Sequence, residues 1–380
     1  MKSIYIDDDL EAIRLQVREY VEREIVPNVE QWEEERAVPR EVLDEMGKLG
    51  FFSLRIPEEY GGLGLGHVAS VAFGEELGRC TAGGFAITVL VHTDLATPYL
   101  TRFGSKSQKD RWLAKMATGE ILTAIGVTEP DAGSDVAAIR TTARRDGDGW
   151  RLNGTKMFIT NGGIADAVFI AAKTNPDVKG SRGISLFLVG KGTPGFSQSR
   201  ALDKMGWHCS NTAELVLDDV WVPEDHLIGE ENRGFYHIME NFQNERLAVA
   251  GQGLGEAQKA IELAVEYVKN RYAFGAPLWE KQAIRQRLAM RQAEVDAARE
   301  LAYHAAWLTD QGADSVRQVS ELKAYLGELI NRVVYDCVQF HGGMGYVAET
   351  PIERMYRDVR ISSIGGGATE VMLEEVAKRL

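Results

Sequence analysis

Hydrophobic residues recur at every third or fourth position through the first third of the chain, with charged residues between them. The first positions of this pattern are Leu10, Ile13, Val17, Val21 and Ile25. The spacing follows the 3.6 residues per turn of an α-helix with one buried face. Pro27 interrupts it, and the glycine-rich stretch 56–66 is typical of a loop. The pattern predicts several helices over about residues 8–118.

From about residue 121 to 222, short runs rich in β-branched and aromatic residues replace the helical spacing. Three of these runs are VFIAAKT, ISLFLVG and AELVLDDVWV. Asn153-Gly154 lies between two further strand-like stretches. This dipeptide is typical of a two-residue hairpin turn because both residues tolerate positive φ angles. The segment is predicted to form a small antiparallel β-domain.

Helical spacing returns after Pro223 and predicts three long helices at about 234–270, 281–312 and 316–340. Two glycine-rich stretches, HGGMGY and IGGGAT, then precede a last helix. GQGLG at 251–255 lies inside a helical pattern, so its glycines predict close packing against another helix rather than a dinucleotide site.

The chain is therefore predicted to be an α+β multidomain protein. An N-terminal helical domain is expected over residues 1–120 and a middle antiparallel β-domain over 121–228. A C-terminal four-helix bundle is expected over 229–380.

Composition narrows the range of partners. The 380 residues carry a formal net charge of −13, which disfavours binding to nucleic acid or to an anionic membrane surface. No run of about 18 apolar residues occurs, so no membrane span is predicted. Three cysteines without C-x-x-C spacing disfavour a disulfide framework, and the seven histidines do not stand at metal-ligand spacing, so no metal is expected. The acidic N-terminus lacks a targeting pattern, which predicts a cytoplasmic protein.

Three motifs in the β-rich segment carry candidate chemistry: VTEPDAGSD at 127–135, NGTKMFITNG at 153–162 and DKMGWHCSNTAELVLDDVWVP at 203–223. The first offers the hydroxyls of Thr128 and Ser134 and backbone N–H groups to a polar cofactor. In the second, Phe158 and Thr160 lie two residues apart and share one face of a strand, where they can contact one flat ligand. A core phenylalanine beside an edge threonine is the alternative.

These motifs, the helix–sheet–helix order, RYAFGAPLWEKQ at 271–282 and VQFHGGMGYVAETPIERMYRDVR at 338–360 resemble the acyl-CoA dehydrogenase family over nearly the whole chain. The resemblance implies a homotetrameric FAD enzyme of fatty acid β-oxidation. Such an enzyme converts an acyl-CoA thioester to the trans-2-enoyl-CoA and passes electrons to an electron-transfer flavoprotein.

The resemblance also implies two groups of cofactor-binding residues. The flavin is expected to contact Val127, Thr128, Gly133, Ser134, Phe158 and Thr160, with Ser134 also near the CoA chain. The FAD pyrophosphate and adenosine are expected to bind across a subunit interface to Arg271, Phe274, Gln282, Gln339 and Gly343. Ala368 and Glu370 are assigned to the cofactor as well. Glu370 begins the last helix, where the helix dipole stabilises a carboxylate.

The reaction needs a carboxylate that removes the α-proton and donors that stabilise charge on the thioester oxygen. Many family members use a glutamate just before the final helix, where this chain has Gly366. Isovaleryl-CoA and long-chain acyl-CoA dehydrogenases resemble this chain in another way, because their base precedes an arginine in a C-terminal helix, as Glu245 precedes Arg246 here. Glu245 is therefore the expected base, and the N–H of Gly366 is an expected donor to the thioester. Phe242 and Arg246 are expected substrate contacts.

Two other functions stay open at this point. A flavin oxidase or monooxygenase on the same scaffold would react with oxygen instead of a protein acceptor. A catalytically silent acyl-CoA-binding protein is favoured by Gly366 if Glu245 is exposed. The relatives that share the placement of Glu245 use branched short chains or long chains, and the sequence does not choose between them.

Overall fold

Helices form the first part of the chain. We describe it from a computed structural model, which describes residues 3–178 and 180–380, so residues 1 and 2 of the predicted first domain and residue 179 of the second lie outside the description. The α-helices are α1 (Asp8–Tyr20), α2 (Val29–Glu35), α3 (Arg40–Lys48), α4 (His67–Gly78), α5 (Gly83–Leu90), α6 (Thr97–Phe103) and α7 (Lys106–Ala117). Two π-helical turns, Val21–Ile25 and Val91–Ala96, continue α1 and α5.

Local sequence signals explain where some of these helices begin. The carboxylate of Asp7 accepts a hydrogen bond from the N–H of Leu10 at 2.8 Å and caps α1. Ser105 and Gln108 form a capping box at the start of α7, each side chain accepting from the backbone N–H of the other. These contacts satisfy N–H groups that have no partner within the helix.

A single sheet forms the middle of the chain. Its described strands are β1 (Thr123–Gly126), β2 (Thr142–Asp146), β3 (Gly149–Thr160), β4 (Ala167–Lys173), β5 (Ile184–Gly190), β6 (Phe196–Ala201), β7 (Thr212–Pro223) and β8 (Leu227–Ile228). The order is β6-β7-β3-β2-β4-β5-β8, with β1 paired to β4. Most pairs are antiparallel, but β4 pairs in parallel with both β1 and β2. The middle β-domain is thus confirmed and mainly antiparallel, and the two parallel pairs of β4 are the difference from the predicted antiparallel sheet.

The predicted hairpin at Asn153-Gly154 was wrong. β3 runs without a turn through both residues, with a register shift between Leu152 and Gly154. A Cβ atom at Gly154 would collide with Thr141, so the glycine is needed for close approach of two backbones. The turn that joins β2 to β3 lies earlier, where Gly147 has a φ of +61°.

Long helices form the last part of the chain. Its elements are α8 (Gly234–Asn270), β9 (Tyr272–Ala273), β10 (Ala276–Pro277), α9 (Gln282–Asp310), α10 (Val316–His341), α11 (Pro351–Asp358) and α12 (Thr369–Ala377). The three long predicted helices are confirmed to within two residues. They form a bundle with α12, which packs on α10.

The glycines of GQGLG bring α4 against α8. A Cβ atom at Gly251 would collide with the carbonyl of Val71, and one at Gly255 with the carbonyl of Glu75. The prediction of close helix packing is confirmed. As a result, the apolar core of the bundle includes residues of α4 as well as α8, α9 and α10.

A separate apolar cluster lies where the three parts of the chain meet. It contains Tyr99 of α6, Val127 after β1, Phe169 of β4 and Ile238 of α8, with Phe242 packed against it. This junction is where the predicted base and the first predicted cofactor segment come together. Among the described residues, no helix is both long and apolar enough to cross a membrane.

Candidate active site

Glu245 lies on α8 and its side chain is buried at this junction. Its Oε1 atom accepts a hydrogen bond from the hydroxyl of Tyr99 at 3.4 Å and from Nδ2 of Asn241 at 3.5 Å. Burial raises the pKa of Glu245 to about 8, while the charge of Arg246 and the two hydrogen bonds act in the opposite direction. A carboxylate with this pKa is a much stronger base than an exposed glutamate.

Two asparagines fix the helix that carries Glu245. Nδ2 of Asn241 donates to the carbonyl of Leu95 at 2.9 Å, and Nδ2 of Asn244 donates to the carbonyl of Asp94. Both carbonyls belong to the π-helical turn Val91–Ala96. α8 is therefore tied to the segment that leads into α6 and Tyr99.

Neither side-chain partner of Glu245 was predicted from the sequence. Asn241 precedes Glu245 by four residues on one helix face, and that spacing was a signal available in the sequence. Tyr99 is 146 residues away along the chain, so no local pattern connects it with Glu245.

A glycine turn lies beside the same helix. Gly366 and Gly367 have φ angles of +66° and +114°, which favour glycine. Nε of Arg246 donates to the carbonyl of Gly366 at 3.4 Å and links the turn to α8. The guanidinium of Arg246 also lies 5.7 Å from the ring of Phe242. The four residues predicted around the thioester, Glu245, Arg246, Phe242 and Gly366, thus lie on two adjoining elements.

The first cofactor segment follows β1. Val127 is buried in the junction cluster, and the carbonyl of Thr128 accepts a hydrogen bond from the N–H of Met157 at 2.9 Å, which joins the segment to β3. Gly133 and Ser134 are exposed. The segment therefore presents its hydroxyl-bearing loop to solvent while its start is anchored inside.

A buried ion pair that was not predicted from the sequence holds this segment. Nζ of Lys156 on β3 donates to Oε1 of Glu129 at 2.7 Å and to the carbonyl of Val127 at 3.2 Å. Glu129 also accepts from the N–H of Thr141 at 2.9 Å. The lysine is fully buried, and its burial lowers its pKa to about 8.

A β-bulge directs Phe158 out of the sheet. The register of β3 against β7 shifts between Lys156 and Ile159, and Phe158 has a φ of +62°. Its ring is 65% exposed, while Ile159 beside it is buried and Thr160 is partly buried. The exposure of Phe158 excludes the alternative of a core phenylalanine.

The second group of predicted cofactor residues lies at one end of the bundle. Its members are Arg271, Phe274, Gln282, Gln339 and Gly343, and all are exposed. Arg271 caps the C-terminal end of α8, Phe274 connects β9 to β10, and the other three lie at the start of α9 and at or just after the end of α10. The ring of Tyr267 on α8 stacks on His341 of α10 at 4.4 Å and joins these ends.

This group is separated from the first. From Glu245 to Arg271 the axis of α8 extends about 39 Å at 1.5 Å per residue. Arg271 therefore lies far along the bundle from the candidate base.

The last two predicted cofactor residues stand at the start of α12. Ala368 is the N-cap residue, and Glu370 lies in the first turn with an exposed side chain. A carboxylate at this position is stabilised by the helix dipole. Among the described residues, no cluster of three or more His, Cys, Asp or Glu side chains has the arrangement of a metal site.

Known proteins share both the sequence and the fold. Residues 7–120, 124–220 and 232–380 match the N-terminal, middle and C-terminal domain families of acyl-CoA dehydrogenases. A mitochondrial long-chain specific acyl-CoA dehydrogenase of Mus musculus is 38% identical, covering 97% of this chain and 86% of that protein. A mitochondrial short-chain specific acyl-CoA dehydrogenase of Bos taurus is 37% identical, covering 100% and 92%. The structure of a glutaryl-CoA dehydrogenase of Mycobacterium smegmatis in complex with FADH2 matches with a TM-score of 0.92 and 32% identity, covering 99% and 95%.

Proposed function

The chain belongs to the acyl-CoA dehydrogenase family of oxidoreductases, and on that premise we propose that it removes the α-proton of an acyl-CoA thioester with Glu245. The observation that carries this proposal is the buried carboxylate of Glu245, with a pKa of about 8, on the helix whose Arg246 contacts the glycine turn. Because Glu245 is buried, the condition that favoured a catalytically silent binding protein is not met.

The family implies FAD as the cofactor, and the residues present fit it. The exposed ring of Phe158 offers a flat contact to an isoalloxazine. The guanidinium of Arg271 has no hydrogen-bond or ion-pair partner among residues 3–178 and 180–380, which leaves it available to a pyrophosphate. The chemistry that FAD would supply at this site is the acceptance of a hydride from the β-carbon.

Hydrogen bonding distinguishes the two carboxylate oxygens of Glu245. Oε1 is occupied by Tyr99 and Asn241, whereas the described residues donate no hydrogen bond to Oε2. We propose that Oε2 takes the α-proton while the N–H of Gly366 donates to the thioester oxygen. Burial excludes water and keeps the carboxylate basic. Phe242 and Arg246 are proposed to contact the acyl thioester, and Ser134 the CoA chain.

A second copy of the chain is proposed to complete the cofactor site. Because Arg271 lies about 39 Å along α8 from Glu245, we propose that Arg271 and its neighbours contact the FAD of another subunit. This separation supports a homo-oligomer, and we propose a homotetramer. Light scattering after gel filtration measures the mass, and a monomer that binds FAD fully would contradict this proposal.

The decisive test of the function is anaerobic mixing of the FAD-loaded protein with a panel of straight and branched acyl-CoAs. Loss of flavin absorbance with at least one acyl-CoA supports the proposal, and no loss with any of them would refute it. We propose straight long chains and branched short chains as the substrates, since the placement of Glu245 resembles those two groups. Reoxidation of the reduced protein by an electron-transfer flavoprotein but not by air would separate a dehydrogenase of β-oxidation from an oxidase or monooxygenase.

A further inference from the structure

Lys323 is a buried lysine on α10 without a carboxylate partner. Its Nζ donates to the carbonyl of Ser362 at 2.7 Å and to the carbonyl of Gly367 at 3.0 Å. No ion pair to Lys323 is formed by any residue that the structure describes. Lysines are rarely buried unless they are paired with an acidic residue. The two carbonyl groups are therefore the contacts that account for the burial of Lys323.

These carbonyls bracket the glycine turn. Ser362 precedes Ile364-Gly365-Gly366-Gly367, and Gly367 ends it. Three consecutive glycines have large conformational freedom, so the turn needs outside contacts to keep one shape. A single ammonium group that binds both ends supplies such contacts. The turn also lies directly on α10, because a Cβ atom at Gly327 would be 2.8 Å from the carbonyl of Ser362.

The turn is held from the other side by Arg246, whose Nε donates to the carbonyl of Gly366. The carbonyls of Ser362, Gly366 and Gly367 are thus all occupied by cationic side chains. In contrast, the N–H of Gly366 finds no acceptor among the described residues. That N–H remains available to a ligand carbonyl.

The side chain of Lys323 lies beside Gly366. Apart from the residues next to it in the chain, the only described residue with an atom within 4 Å of a Cβ built on Gly366 is Lys323, whose Cε lies at 3.7 Å. Burial, together with the charge of Arg246, lowers the pKa of Lys323 to about 8, so the ammonium form is largely retained at neutral pH. Two cationic side chains, Lys323 and Arg246, therefore contact the turn that carries this N–H.

We propose that Lys323 is a positioning residue for the thioester carbonyl of the substrate. It fixes the glycine turn so that the N–H of Gly366 donates to the carbonyl oxygen while Glu245 removes the α-proton. Its charge adds to the stabilisation of the enolate-like oxygen. The inference rests on the proposed function and adds a residue that does not itself touch the substrate.

The test uses Lys323→Met and Lys323→Gln in the FAD-loaded protein, with acetoacetyl-CoA as the probe. The α-proton of bound acetoacetyl-CoA ionises to an enolate, and titration of the enolate absorbance measures its pKa on the protein. In Lys323→Met we expect this pKa to rise by about one unit or more, and flavin bleaching by a good acyl-CoA to slow by roughly ten- to a hundredfold. Lys323→Gln keeps N–H donors without the charge, so we expect an intermediate result. FAD content is expected to stay parental.

Asn331→Leu is the matched control. Nδ2 of Asn331 donates from the same helix to the carbonyl of Val359 at 3.3 Å, before the turn begins. We expect this variant to leave the enolate pKa parental. An unchanged pKa in a folded Lys323 variant, or an equal rise in Asn331→Leu, would overturn the inference. If neither Lys323 variant folds, Lys323 serves the fold as a whole and the positioning role is rejected. A parent protein that no acyl-CoA reduces would instead refute the proposed function itself.

Discussion

Replacing Glu245 with glutamine tests the proposed chemistry most directly. Glutamine keeps the size of the side chain and part of its hydrogen bonding, but it cannot accept a proton at neutral pH. Loss of a general base slows a reaction by roughly 10²–10⁴-fold. We therefore expect flavin bleaching in Glu245→Gln to slow by about that factor while acyl-CoA still binds.

The pH dependence of the flavin-bleaching rate is a second quantity that tests Glu245. With a pKa of about 8, Glu245 is about one tenth ionised at pH 7 and about nine tenths ionised at pH 9. The base is active only when deprotonated, so the parental bleaching rate should rise about tenfold between these pH values and fall as the pH is lowered. In Glu245→Gln this rise should be absent. Anaerobic stopped-flow bleaching at saturating acyl-CoA, repeated across this pH range, measures both effects.

Glu256→Gln is a close control for this variant. Glu256 lies on the same helix, about three turns further along, and burial likewise raises its pKa to about 8. Its carboxylate accepts from Nε2 of Gln252 at 2.8 Å and does not contact Tyr99. Glu256→Gln should therefore bleach at the parental rate with the parental pH profile. Near-parental bleaching in Glu245→Gln, or a pH rise that survives in it, would refute the assignment of the base.

Three further predictions concern the residues around the two ligands. Tyr99→Phe removes a donor to the carboxylate of Glu245, so the apparent pKa of flavin bleaching should rise by roughly half a unit to one unit; a fall would contradict the contact. Lys156→Met removes the contacts that hold Val127 and Glu129. Titration of the apoprotein with FAD should show an affinity about tenfold or more weaker than that of the parent. Parental affinity would exclude a role of Lys156 in holding the cofactor segment. Arg271→Ala should lose FAD during dilution and gel filtration while residual loaded protein bleaches normally, and retention as tight as in the parent would contradict pyrophosphate binding.

The sequence was sufficient for features that depend on local patterns. Hydrophobic spacing identified the three long helices within two residues because a helix with one buried face repeats its apolar positions regularly. Motif order pointed to the family, and the Glu245-Arg246 pair could be located despite Gly366. At Asn153-Gly154 the same local reasoning failed. That glycine is needed because a side chain there would collide with Thr141, and it does not form a turn.

Only the tertiary structure decided the environment of the candidate site. The pKa of Glu245 depends on burial at a junction of three chain segments, and its hydroxyl partner Tyr99 comes from 146 residues away. The contacts of Lys156 and Lys323 likewise join segments far apart in sequence. A lysine in a sequence is a surface residue by default, because its charge favours water. Packing between distant segments of the chain determines whether a lysine is buried and which groups it contacts. No local sequence pattern connects those segments.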